Sequence, residues 1–262
     1  MTRVSGMPVV LVFFGFLLGV VGSSLAVEVA DLPSASGGTQ HVWYDSPPKP
    51  AAVAIMLIGG DGVVPFETDG SLKGGRSTLV RTRQLWLDHG IAVLIPGKPT
   101  SLAGVFSYRL SDTYAQDIRA LVDFARAHAS VPVWLFGHSL GTVAVASSAS
   151  RLTHGEIAGV VFAAPTVNHI PPNITETVFD APLAVINVPA LVVAHAQDSC
   201  STTAPNGPAR LRAALTGAPR SDVFLFNGGE PSGAPCDPTA LHSFVGLDAE
   251  FVDRVATWVH GS

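Results

Sequence analysis

From residue 27 onward the chain alternates short, wholly apolar runs with longer stretches whose apolar residues recur every three or four positions. The runs cover residues 53–58, 91–95, 133–136, 160–162, 190–194 and 222–226, the last apolar after its opening Asp222, and each ends in turn residues such as Gly59-Gly60, Pro96-Gly97 or Gly137. A run without polar positions reads as a strand covered on both faces, which is how strands of a parallel sheet look. Residues 41–44 predict an antiparallel edge strand ahead of them. Helical periodicity fills residues 76–89, 112–129, 140–151, 208–215 and 248–259; in the second, Tyr114, Ile118, Leu121, Val122 and Ala125 share one face. The alternation predicts an α/β fold, a mostly parallel central sheet with helices on both faces, as a single domain over residues 27–262. Three irregular segments, 61–75, 166–187 and 228–239, each follow the C-terminal end of a strand, where open α/β sheets bind ligands.

The first 26 residues have a different character. Residues 1–7 hold one arginine and no acid, residues 9–22 are apolar and uncharged, and Ser24 and Ala26 supply small residues for a cut after position 26. That order predicts a secretory signal peptide. The alternative is an uncleaved anchor, since the apolar run approaches the ~20 residues of a membrane span. Both readings place the domain outside the cytoplasm, periplasmic or secreted, with membrane contact only if the segment stays attached. The two cysteines, Cys200 and Cys236, are then expected to form a disulfide. Closing that loop restricts the unfolded chain by about 4 kcal/mol in the chain-entropy model.

Composition narrows the partners. The chain is 47% hydrophobic and only 13% charged, with a formal net charge of −5. Lysine and arginine are scattered, so no nucleic-acid footprint is expected. Histidines and cysteines show no metal-ligand spacing, and no glycine-rich phosphate loop follows any strand, so neither metal nor cofactor is expected.

The motif with chemical content is Gly137-His138-Ser139-Leu140-Gly141. It fits G-x-S-x-G between an apolar strand and an Ala-rich helix, the context in which a sharp turn lifts a serine hydroxyl above the sheet. An ordinary strand-to-helix turn with a capping serine is the plainer reading of the same residues. With strand, turn and helix in this order, the chain resembles the α/β-hydrolase superfamily on its esterase and lipase side, over roughly residues 40–260. The resemblance implies a nucleophile–acid–histidine triad in that chain order. Ser139 matches the nucleophile, Asp198 lies just past the run 190–194, and His242 lies between the last run and the final helix. Asp222 and Asp237 are the rival acids. One oxyanion amide is implied at Leu140, the residue after the nucleophile. The second is implied in the loop Ile58-Gly59-Gly60-Asp61-Gly62, at Asp61 or Gly60; Ile58 stands where related esterases carry a histidine. A Cys200–Cys236 bond would tie the acid loop to the histidine loop.

The expected function is an exported serine hydrolase acting on a small-molecule carboxylic ester through an acyl-enzyme on Ser139. The same triad also suits an acyltransferase or a peptidase of small substrates, and a catalytically silent binding domain of this fold is the remaining alternative.

Overall fold

The computed structural model describes residues 27–64, 66, 67, 69, 71, 72, 75–152 and 155–262; residues 1–26, expected to be a signal peptide, Lys73 and His154 lie outside them. The apolar runs become strands in an eight-stranded sheet: β1 (Glu28–Pro33), β2 (Thr39–Asp45), β3 (Ala52–Leu57), β4 (Ile91–Pro99), β5 (Val133–His138), β6 (Gly159–Ala163), β7 (Ala190–His195) and β8 (Ser221–Phe226). The order across the sheet is β1-β2-β4-β3-β5-β6-β7-β8. Strand β2 runs antiparallel to both of its neighbours, and every pairing from β4 through β8 is parallel.

Burial along their whole length, on both faces, explains why β3, β5, β6 and β7 are almost without polar positions. Alternate residues point to opposite sides. Val53, Ile55, Leu57, Val133 and Leu135 enter one core, while Ala54, Met56, Trp134 and Phe136 enter the other. Helices α3 (Asp112–His128), α4 (Gly141–Ala149) and α5 (Gly207–Ala214) cover the first core with Ile118, Leu121, Val143, Val145 and Leu211. Helices α1 (Thr78–Arg81), α2 (Arg83–Asp88) and α6 (Asp248–His260) cover the second with Leu79, Trp86, Phe251, Val252 and Val255.

The structure departs from the sequence expectation in three places. The helix over 76–89 is two short helices that part at Thr82. There the threonine hydroxyl donates back to the Thr78 carbonyl and accepts from the Trp86 indole, a local competition that bends helices. Strand β4 continues past Pro96-Gly97 to Pro99 because its far half pairs antiparallel with β2, across a register irregularity between Gln40 and Val42. Strand β1 has no apolar signature, since Glu28-Val-Ala-Asp-Leu-Pro33 is only partly buried. It is the edge strand, held by its ladder to β2, so the strand over 41–44 lies inside the sheet and not at the edge its sequence predicted. Among the described residues no helix is long and apolar enough to cross a membrane.

Candidate active site

Ser139 sits between β5 and α4 with φ at +54°, in the left-handed region that L-residues avoid. Neighbouring groups hold it there. Its amide donates to the Ala163 carbonyl on β6 at 3.0 Å. Its carbonyl accepts from the Thr142 hydroxyl at 2.6 Å, and that hydroxyl in turn accepts the Thr166 amide. The turn also requires glycine at 141, because a β-carbon there would lie 1.9 Å from the Leu57 carbonyl oxygen. Strained backbone at a serine, fixed from several sides, is a mark of functional turns.

Asp198 follows β7 and His242 lies in a 3-10 turn before α6. Their side chains are nearly inaccessible, at 6% and 1% exposure, and His242 Nδ1 stands 2.8 Å from Asp198 Oδ2. The other carboxylate oxygen accepts the Cys200 amide at 2.9 Å. Nδ1 therefore carries the proton toward the acid, and Nε2 is left buried without a hydrogen-bond partner. Ser139 and His242 line one hollow of about 270 Å³, together with Gly59, Gly60, Ser77, His138, Cys236 and Pro238. The Ser139 hydroxyl and Nε2 make no hydrogen bond in this structure. The two rival acids lie elsewhere. Asp222 opens β8 at the opposite end of the sheet, where it accepts from Trp258 and Arg220. Asp237 caps its own loop by accepting the Ala234 amide.

The turn after β3 closes the hollow. The Gly62 amide donates to the Gly59 carbonyl, and Gly60 has φ at +60°. A β-carbon at Gly59 would come within 2.8 Å of Ser139 Cβ, so only glycine lets this turn reach Ser139. Of the two candidate residues for the second oxyanion amide, Gly60 lines the hollow with Ser139; Asp61 is exposed beside it, its carboxylate accepting the Val63 amide.

The histidine loop is clamped more heavily than the sequence suggests. Arg81 chelates Asp248 through Nε and Nη2, and also donates to the carbonyls of Pro238 and Ser243. Thr78 adds a second bond to the Ser243 carbonyl. The Cys200–Cys236 disulfide joins this loop to the turn that carries Asp198. We expect Cys236→Ser to lower the melting temperature by about 10 °C, given ~4 kcal/mol from loop closure and roughly 2–4 °C per kcal/mol for a domain of this size. The same change is expected to reduce any triad-dependent activity by at least about tenfold through misplaced geometry. A variant matching wild type in both respects would remove any role for the bond at the site.

His138 is buried against His242, with ring centroids 5.2 Å apart, and its Nε2–H donates to the His242 carbonyl at 3.0 Å. Burial, with the neighbouring His242 adding to it, pushes the His138 pKa from its ordinary 6.5 down to about 3. The ring thus stays neutral and supports the loop instead of exchanging protons. Between those two values the unfolded chain binds a proton here that the folded chain does not. Stability is therefore expected to fall as pH drops from about 6.5 toward 3. Replacing His138 by glutamine should flatten the melting temperature's dependence on pH across that window; an unchanged slope would contradict the assignment.

The comparisons agree with this architecture. The family model described as serine aminopeptidase, S33, matches residues 106–207, less than half of the chain. A search of curated protein sequences gave no match. Among solved structures, an esterase of Pyrococcus furiosus superposes with a TM-score of 0.67 at 12% identity, covering 90% of this chain and 91% of the other. A thermostable carboxyl esterase from Bacillus coagulans gives 0.63 at 13% identity, over 90% and 99% of the two chains. The 2,6-dihydroxy-pseudo-oxynicotine hydrolase gives 0.58 at 18% identity, over 89% and 67%. The sheet order, the serine turn between β5 and α4, and these likenesses give the chain an α/β-hydrolase fold.

Proposed function

We propose that the protein is a serine hydrolase that cleaves carboxylic esters of small molecules through an acyl-enzyme on Ser139. The observation that carries this reading is the Asp198–His242 pair, bonded through Nδ1, with the remaining imidazole nitrogen buried, unpartnered and beside the strained serine. His242 Nε2 takes the Ser139 proton as the hydroxyl oxygen attacks the acyl carbonyl, and the carbon–oxygen bond to the alcohol breaks as that proton passes to the leaving group. Asp198 keeps the imidazole in the useful tautomer and stabilises its protonated form. Water, activated by the same imidazole, then releases the acid. The negative charge on the tetrahedral oxygen is met by the Leu140 amide and by an amide of the Gly60–Asp61 turn, in a site where fixed donors contribute most. Neither a metal nor an organic cofactor enters these steps.

The family model's description favours one second reading, a peptidase acting on small amides or peptides with the same triad. Parallel assays of a short p-nitrophenyl ester and aminoacyl p-nitroanilides separate the two. The ester reading expects turnover of the ester and no detectable hydrolysis of the anilides, whose leaving amine needs fuller protonation than an alcohol; hydrolysis of the anilides as well would favour the peptidase reading. A fluorophosphonate probe followed by peptide mapping tests the nucleophile itself: labelling at Ser139 is expected, and an unlabelled folded protein would turn the reading toward a binding domain.

We further propose that the domain works outside the cytoplasm. The disulfide supports an oxidising compartment. Fractionation of the native producer, with the mature N-terminus sequenced, tests both export and the cut after residue 26.

A further inference from the structure

Arg109 is the one fully buried arginine among the described residues. It lies between β4 and α3. Its Nη1 donates to Glu176 Oε1 at 3.2 Å and its Nη2 to the Gly60 carbonyl at 2.6 Å. Glu176 comes from the irregular segment between β6 and β7, and the two side chains are 1% and 3% exposed. Three loops at the C-terminal edge of the sheet thus meet at one guanidinium.

Stability does not explain this pair. Removing two charges from water costs more than their attraction commonly returns, and an apolar pair of similar volume often serves a core as well or better. Here the cost is raised further, because Arg109 Nε and Glu176 Oε2 are buried without hydrogen-bond partners. Burial accordingly pushes the Glu176 pKa up, against the pull of Arg109. An apolar pair would fill the space, but it could not donate to the Gly60 carbonyl.

That carbonyl belongs to the turn that faces Ser139. The peptide from Gly60 to Asp61 is planar and trans, so fixing its oxygen on one side fixes the Asp61 amide on the other. Gly60 has no β-carbon, and its φ of +60° is one of several it can adopt at little cost. Nothing in the residue itself keeps this peptide from rotating, and rotation would disturb the amides beside the nucleophile.

Resting on the ester-hydrolase reading above, we propose that Arg109 and Glu176 are positioning residues for the oxyanion turn: Arg109 holds the Gly60 carbonyl, and Glu176 holds Arg109. Neither touches the reacting atoms. Their effect is on charge that exists only in the tetrahedral state, so it belongs to kcat and not to substrate binding.

The test is a variant without charges, Arg109→Met with Glu176→Leu, assayed on p-nitrophenyl butyrate and with a trifluoromethyl ketone as the mimic of the tetrahedral oxygen. We expect a melting temperature no lower than wild type, a KM within about twofold, and a kcat reduced about 10- to 100-fold with a parallel loss of inhibitor affinity. Arg109→Lys, which keeps a donor for the carbonyl, should recover part of the loss. A folded double variant with wild-type kcat and inhibitor affinity would overturn the proposal, as would a kcat that falls only in step with lost stability. Should the double variant not fold, Glu176→Gln replaces it. That change keeps the Gly60 bond and loosens its support, and is expected to lower kcat several-fold at constant KM; wild-type kcat would overturn the proposal. Ser139→Ala in the same series keeps the two readings apart. If it is silent while the charge-free variant is fully active, only the positioning role fails; if it matches wild type, the hydrolase reading itself fails.

Discussion

Asp198→Asn is expected to lower kcat by about ten-thousand-fold while leaving the fold and its melting temperature nearly unchanged. The reason is in the two bonds the carboxylate makes. One oxygen accepts the Cys200 amide and the other accepts His242 Nδ1–H. Asparagine can still offer its carbonyl oxygen to Cys200, so the turn after β7 keeps its shape. Its amide nitrogen then faces Nδ1 as a donor, and the imidazole must place its proton on Nε2 instead. A histidine protonated at Nε2 cannot take the serine proton. Comparable changes in serine-protease triads cost about that factor. The pair is almost inaccessible, so water cannot replace the lost acceptor. A loss of only a few-fold, measured as kcat on a short ester, would mean that Asp198 merely shapes its turn and that another group orients the base.

Gly141→Ala is expected to cost at least about 3 kcal/mol, seen as a fall of roughly 10 °C in melting temperature, together with a loss of about a hundredfold in kcat. The added methyl group would meet the Leu57 carbonyl oxygen at 1.9 Å and the Leu57 carbonyl carbon at 2.7 Å. Both are backbone atoms at the end of a central strand, flanked by β4 and β5, and cannot move aside as a side chain could. Relief requires the first turn of α4 to lift from β3. That motion separates Ser139 and Leu140 from the turn at Gly59 and Gly60, so stability and catalysis fall together. A stable, active Gly141→Ala protein would show that the serine turn between β5 and α4 packs less tightly than its glycines imply.

The parts of this protein that were legible in the sequence are those set by local chemistry. The apolar strands announce themselves because both faces are covered, and Gly-x-Ser-x-Gly between strand and helix leaves few alternatives for its conformation. The chain order implied by the resemblance to α/β-hydrolases points to Asp198 and His242, which the structure brings within hydrogen-bond distance. The residues that support the site were not legible, because their partners are remote. Arg109 is 67 positions from Glu176, Arg81 is 167 from Asp248, and His138 is 104 from the carbonyl it holds. No periodicity or motif connects such pairs. A signal was present for Arg109, a charge within Phe106-Ser-Tyr-Arg-Leu110 in a chain with only 13% charged residues, but it does not reveal whether such a group is buried or solvated. Strand β1 was missed for the opposite reason: as a half-exposed edge it is held by backbone pairing, which leaves no side-chain pattern to read.

The most direct measurement of the central claim is turnover of p-nitrophenyl butyrate by the purified protein beside Ser139→Ala, with both shown to be folded by circular dichroism. Wild-type turnover that falls by about ten-thousand-fold or more in the variant is the predicted result. Equal rates in the two proteins, or a folded wild type that is silent on esters and unlabelled by fluorophosphonate, would contradict it.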